Sequence, residues 1–135
     1  MPTLAAVVGM GQTYHKSKRN DVSMAGLVRE SADDALRDAN LDWKDIDAVI
    51  LGKAPDMFEG VMMPELYLSD ALVANGKPII RVHTAGSVGG ATGIVAASYI
   101  QSGLFKRVLV ATYEKQSESN AMWALSTTVP YAPLI

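Results

Sequence analysis

Short, largely apolar runs recur along this chain, and between them lie segments whose apolar residues fall three and four apart. The runs are residues 4–8 (LAAVV), 48–52 (AVILG), 78–82 (PIIRV) and 107–112 (RVLVAT). A run of about four to eight apolar residues that does not alternate with polar ones suits a strand buried on both faces. Strands of that kind, separated by helical patterns, restrict the chain to an α/β fold. The expected order is βαβαβαβ, a mostly parallel sheet with helices on its faces. Such sheets take ligands at the carboxyl ends of their strands.

The intervening segments carry their own signals. Ser23 suits an N-cap, and Met24, Leu27, Val28, Ala32, Ala35, Leu36 and Ala39 then form one apolar face. Arg29, Glu30, Asp33, Asp34, Arg37 and Asp38 lie opposite, so these carboxylates are a wet helix surface and not an acid–base pair. A second helix is expected over residues 65–75, with Leu66, Leu68, Leu72 and Val73 apolar and Gly76 as its stop. The loop before it holds Met57, Phe58, Met62 and Met63. These read either as core packing or as a subunit contact or apolar ligand wall.

Several function classes drop out early. The formal charge of −2 offers no electrostatic ground for nucleic acid. The one basic cluster, HKSKRN over residues 15–20, reads as a solvated loop in preference to a phosphate patch. With no cysteine, disulfides, thiolate metal sites and a cysteine nucleophile are excluded. No apolar run approaches the roughly 18 residues of a membrane span. The first residues lack a basic leader and read as a strand, so a cytoplasmic protein is expected. Gly9-Met10-Gly11 opens like a dinucleotide fingerprint, but Tyr14 stands at the third glycine position and a plain strand exit is preferred.

Between Gly86 and Gly93 four residues are glycine, in a segment without charge from residue 82 to residue 105. Each glycine inside a helix costs up to about 1 kcal/mol relative to alanine. Residues 88–102 are nonetheless apolar or small all round, which predicts a helix buried on every side by closely approaching neighbours. Its N-terminus follows the third strand at the carboxyl edge, where free N–H groups suit a carbonyl oxygen or an anion. Strand, sharp turn, small polar residue and helix is the arrangement by which α/β enzymes present a nucleophile. Ala85-Gly86-Ser87-Val88-Gly89 approximates the serine hydrolase elbow, with alanine in the first position. That fold places its histidine after the serine, and no histidine follows His83, so the chain cannot supply the triad.

Residues 81–119 resemble the nucleophile region of the thiolase superfamily. There V-N-x-x-C on a strand precedes A-S-G and a small-residue helix, and a later strand ends in a glutamate–serine motif. RVLVATYEKQSESN resembles that later element, with Glu114 at the glutamate. The runs GKAPDMFEGVMMPELYL, RVHTAGSVGG and EKQSESNAMWAL resemble the sterol-carrier, lipid-transfer branch, thiolase-like proteins linked to steroid side-chain degradation. The likeness extends over nearly all of the chain. It implies a thiolase-like N-terminal half as a single domain over residues 1–135, with 116–135 an irregular tail or connection. The family's histidine and second cysteine motifs belong to a later half.

The departures shape the chemistry that the resemblance implies. Against C-A-S-G-G-A, the sequence G-S-V-G-G-A sets Gly86 at the nucleophilic cysteine, Ser87 beside it and His83 at the usual asparagine. Thiolysis through an acyl-enzyme needs a low-pKa thiol, which glycine does not have. Ser87 is read first as a helix N-cap and second as a nucleophile. His83 is read first as a structural hydrogen-bonding group and second as a proton carrier.

Gly86, Ser87, Val88 and Gly89 are the candidate substrate-binding residues, and Ser87 and His83 the candidate catalytic ones. The resemblance implies a coenzyme A thioester, acyl-CoA or steroid-CoA, as substrate, with no separate cofactor and no metal. The expected reaction is thiolase-like or retro-aldol carbon–carbon cleavage, the second needing no covalent acyl-enzyme. It implies further a homodimer and a small partner protein with an oligonucleotide-binding fold and a zinc ribbon. The alternative from another class is a non-catalytic assembly or lipid-binding module.

Overall fold

The computed structural model describes residues 4–54, 60–118, 120 and 122. Helix α1 (Met24–Ala39) begins as its sequence requires: Ser23 is extended and its hydroxyl accepts a hydrogen bond from the Gly26 N–H at 3.1 Å. Asn40 ends the helix in the left-handed conformation, at φ 54°. Met24, Leu27, Val28, Ala32 and Leu36 are buried, the apolar stripe that the spacing implies.

Strand β1 (Ala48–Gly52) is buried at every position, because it is the middle strand. Strands β2 (Ile79–Val82) and β3 (Val108–Thr112) flank it, both parallel, in the order β2-β1-β3. Gly52 stands in register with Val82 on one side and Thr112 on the other. At the opposite edge the Asp47 carboxylate accepts hydrogen bonds from the Lys106 and Arg107 N–H groups, each at 2.9 Å. Those two bonds hold the Asp47 carboxyl below the usual carboxylate range.

The second helix is shorter than expected. Helix α2 (Pro64–Tyr67) is one turn, and residues 68–73 continue as turns. Ser69 Oγ donates to the Leu66 carbonyl at 2.8 Å and Asn75 bonds Asp70 at 2.9 Å. Such short polar side chains offer the backbone alternatives to a helix. Val73 then takes φ 47° and Gly76 φ 76°. Leu68 and Leu72 are fully buried all the same, as the spacing anticipated.

Two expectations need correction. Residues 4–8 are not a strand, and among the described residues the sheet has three strands. Leu4 is 80% and Val7 82% exposed. The backbone beyond them lies directly on α1, since a Cβ on Gly9 would come 2.7 Å from the Ala39 N and one on Gly11 3.0 Å from the Asp34 Cβ. The Met10 N–H also donates to Asp38 at 2.9 Å. A strand exists only through a partner's hydrogen bonds, and this segment is secured to a helix instead.

The second correction concerns the glycine-rich helix, α3 (Val88–Gln101). Only Thr92 and Ala96 on it are buried, while Gly89, Gly90, Gly93 and Ile94 are exposed. Among the described residues, a Cβ on Gly86, Gly89, Gly90 or Gly93 would meet nothing within 4 Å, and the helix is enclosed on the sheet side alone. Against the sheet, close packing requires a glycine at Gly52, where a Cβ would collide with Thr92 Oγ1 and lie 2.8 Å from Thr112 Cγ2.

Candidate functional site

The chain turns sharply between β2 and α3. Ala85 sits in the left-handed region at φ 48°, which an alanine adopts only at a cost of roughly 1–2 kcal/mol. A short 3-10 turn, Ala85–Ser87, leads into α3. The first turn of α3 is secured by Thr92, whose hydroxyl is fully buried and donates to the Val88 carbonyl at 2.6 Å. Because Thr92 rests on Gly52 and beside Thr112, the last residues of β1 and β3, the helix N-terminus projects past the carboxyl edge of the sheet. That is the place where the fold class puts ligands.

His83, Thr84, Ala85, Gly86 and Ser87 are all exposed on this turn. Ser87 occupies the N-cap position but makes no capping bond; its hydroxyl donates to the Thr84 carbonyl at 2.8 Å. His83 Nδ1 accepts a long hydrogen bond from the Ala85 N–H at 3.4 Å. Among the described residues, His83 and Ser87 make no bond with each other. A serine becomes a nucleophile through a base in contact with it, and here the hydroxyl proton is directed to a carbonyl. Gly86, Ser87, Val88 and Gly89 do stand together, with Val88 partly covered. The Ser87 N–H donates to the Thr84 carbonyl at 3.2 Å and the Val88 N–H to the Ala85 carbonyl, while Gly89 lies in the first turn of α3, where N–H groups have no partner within the helix.

The carboxyl edge holds groups that the spacing did not single out. Lys53, one residue past β1, is 0% exposed, and Lys115, three past β3, is 5% exposed. Lys53 Nζ lies 3.4 Å from Glu114 Oε2 and 5.5 Å from the centre of the Tyr113 ring. Glu114 Oε1 accepts a hydrogen bond from the Ala54 N–H at 2.5 Å. Lys115 donates to the Val22 carbonyl at 2.7 Å and pairs with Glu118, tying the exit of β3 to the entrance of α1. A lysine next to an all-apolar strand was the available sign, because the strand exit lies inside the fold.

A cavity of about 270 Å³ adjoins this edge on the α1 side, lined by Thr13, His15, Lys16, Arg19, Glu114 and Lys115 among others. Arg19 there is committed to Glu30 at 2.8 Å and Asp21 at 3.0 Å. Those bonds raise the guanidinium pKa and hold both carboxyls below their usual range. His15, Lys16 and Lys18 are exposed, as a solvated basic loop would be. A larger hollow of about 550 Å³ lies at the other edge, between the end of α1 and the turn at Trp43–Asp45. Size notwithstanding, it is an open groove among Asp33, Asp42 and Asp45, remote from the strand exits.

Among the described residues no group of three or more metal-ligating side chains converges. Among the described residues no helix is long and apolar enough to cross a membrane.

No protein-family model matches the chain, and no curated protein matches it significantly. Solved structures do, and they define the class: the fold is thiolase-like. One is 3-oxoacyl-[acyl-carrier-protein] synthase III from Aquifex aeolicus VF5. It is 28% identical over 75% of this chain and 32% of its own, with a TM-score of 0.64. Another is the priming β-ketosynthase of the R1128 polyketide biosynthetic pathway, 22% identical over 72% of this chain and 29% of its own, with a TM-score of 0.61. The chain therefore spans about a third of the length of the solved proteins it matches.

Proposed function

We propose that this chain is the thioester-facing part of a thiolase-like protein that binds acyl-CoA or steroid-CoA and takes part in retro-aldol carbon–carbon cleavage. The observation that carries the reading is the first turn of α3, held past the carboxyl edge of the sheet with glycine where a nucleophilic thiol would stand. Backbone N–H groups of such a turn stabilise a developing thioester enolate. In the reaction a base takes the β-hydroxyl proton and the bond between the α and β carbons breaks. The electron pair passes to the enolate, the β carbon becomes a carbonyl, and the enolate is then protonated. No acyl-enzyme forms, which agrees with a chain that has no cysteine. A lipid-transfer or steroid-degrading role, a cytoplasmic location, a homodimer and a zinc-ribbon partner protein follow from the resemblance and belong to this same proposal.

The test is a titration with a CoA thioester of the protein and of its Ser87→Pro variant, which removes the N–H that bonds Thr84 at 3.2 Å. We expect affinity to fall about tenfold, because the turn that holds the tip of α3 in place loses that bond. Equal affinity would remove the helix tip from the site.

A second reading, a non-catalytic assembly module, is favoured by exposed apolar side chains: Met62 at 72%, Ile94 at 70% and Leu104 at 63%. Met57 and Phe58, offered for the same role, lie outside the described residues, as does most of the tail over 116–135. Size-exclusion chromatography beside an aldol-cleavage assay separates the readings.

A further inference from the structure

Among the described residues Lys53 is the largest side chain that is fully buried, and nothing in the thioester reading uses it. Stability does not account for an ammonium there. A buried ion pair gains little over apolar groups of the same size, and replacing it with them is often neutral or favourable. A methionine would fill similar space without the desolvation cost.

Its position suggests what the charge does. Lys53 follows Gly52, and Glu114 follows Thr112 by two residues. Thr92 and Thr112 both stand against Gly52, and Thr92 bonds the Val88 carbonyl that opens α3. One carboxylate, from the exit of β3, thus holds the exit of β1 twice. It takes the Ala54 N–H on one oxygen and the Lys53 ammonium on the other. The Lys53 N–H in turn donates to the Val82 carbonyl at 3.4 Å, so the same residue also meets the exit of β2.

The geometry points to Lys53 and Glu114 as a positioning pair. Together they fix the spacing of the β1 and β3 exits, and through Gly52, Thr112 and Thr92 they hold the first turn of α3 where it meets its ligand. The thioester as that ligand rests on the function proposed above; the link from the pair to α3 does not.

The experiment uses Lys53→Met, Lys53→Arg, Glu114→Gln and the Lys53→Met/Glu114→Gln double variant. Two quantities are read: amide hydrogen exchange at residues 92–95, and the dissociation constant for propionyl-CoA as probe. Each neutral single variant should speed exchange at those amides about tenfold and weaken propionyl-CoA by a similar factor, with the double no worse than either single. Lys53→Arg should restore both. A lysine that merely fills space would let methionine pass unnoticed in both readouts. Should Lys53→Met fail to fold, Glu114→Gln keeps the side-chain shape and still removes the charge. Unchanged exchange at residues 92–95 in Glu114→Gln would overturn the inference. A wild-type protein that ignores propionyl-CoA would instead sink the proposed function, and the exchange data would still decide the pair.

Discussion

The two faces of the sheet come from the same three strands and are packed to different depths. On one side Val49, Leu51, Leu109, Ala111 and Tyr113 meet Met24, Val28, Ala32 and Leu36 of α1, and Leu68, Leu72 and Ala74 extend that core. On the other, Ile50 and Val82 meet Ala96 of α3, with Ala91, Val95, Tyr99 and Val108 partly covered around them. The cause lies in the side chains that the helices turn inward. Helix α1 is amphipathic, and its large residues reach into the core while its charges reach water. Helix α3 turns inward a threonine and an alanine, which bring it close but bury little area, and its outer side has no polar face. A deep core and a shallow one teach different things: the first holds the fold together, and the second holds a helix tip in place.

Adjacent residues of β1 probe the two faces most directly. Leu51→Ala, on the α1 side, should destabilise by about 4 kcal/mol, and Ile50→Ala, on the α3 side, by about 2–3 kcal/mol, because the thinner layer relaxes more easily into the vacated space. Denaturant unfolding measures both. Equal losses would mean that the α3 side is as tightly built as the α1 side.

Glycines sharpen the contrast through opposite signs. Gly52→Ala should cost about 1–3 kcal/mol by driving a methyl group into Thr92. Gly89→Ala and Gly93→Ala should each stabilise by up to about 1 kcal/mol, since the methyl enters open space on a helix. Thermal unfolding reads all three. A destabilising Gly93→Ala would reveal a neighbour on the outer side of α3.

The smallest effect belongs to neither face. The Asp47 pKa is lowered in the folded state, so its carboxylate adds stability that is complete above its unfolded pKa, near 4. That contribution fades as pH falls through the lower folded value. Asp47→Asn should remove this acid-side slope and cost under about 1 kcal/mol at neutral pH, the site being exposed. Unfolding midpoints from pH 7 down to pH 3 would check it (an unaltered slope would contradict the two N–H bonds).

Local order read directly from residue pattern comprised α1 with its Ser23 cap, the three strands, their parallel arrangement and the sharp turn into α3. These depend on spacing, capping and chain punctuation, which neighbours in sequence set by themselves. The likeness of RVHTAGSVGG and YEKQSESN to thiolase relatives carried the fold class further than any spacing did, and the solved structures agree with it at that level. Three matters were decided only in space. Residues 4–8 have the composition of a strand and no strand beside them, because Gly9 and Gly11 seat their backbone on α1. The Gly/Ala helix has the composition of an enclosed spine, yet enclosure depends on what stands on its far side. Lys53 looks like the first residue of a surface loop and is wholly buried, since Glu114, 61 positions away, meets it at the sheet edge. Pattern specifies what a segment can bury or bond; which groups arrive to meet it is a property of the assembled chain.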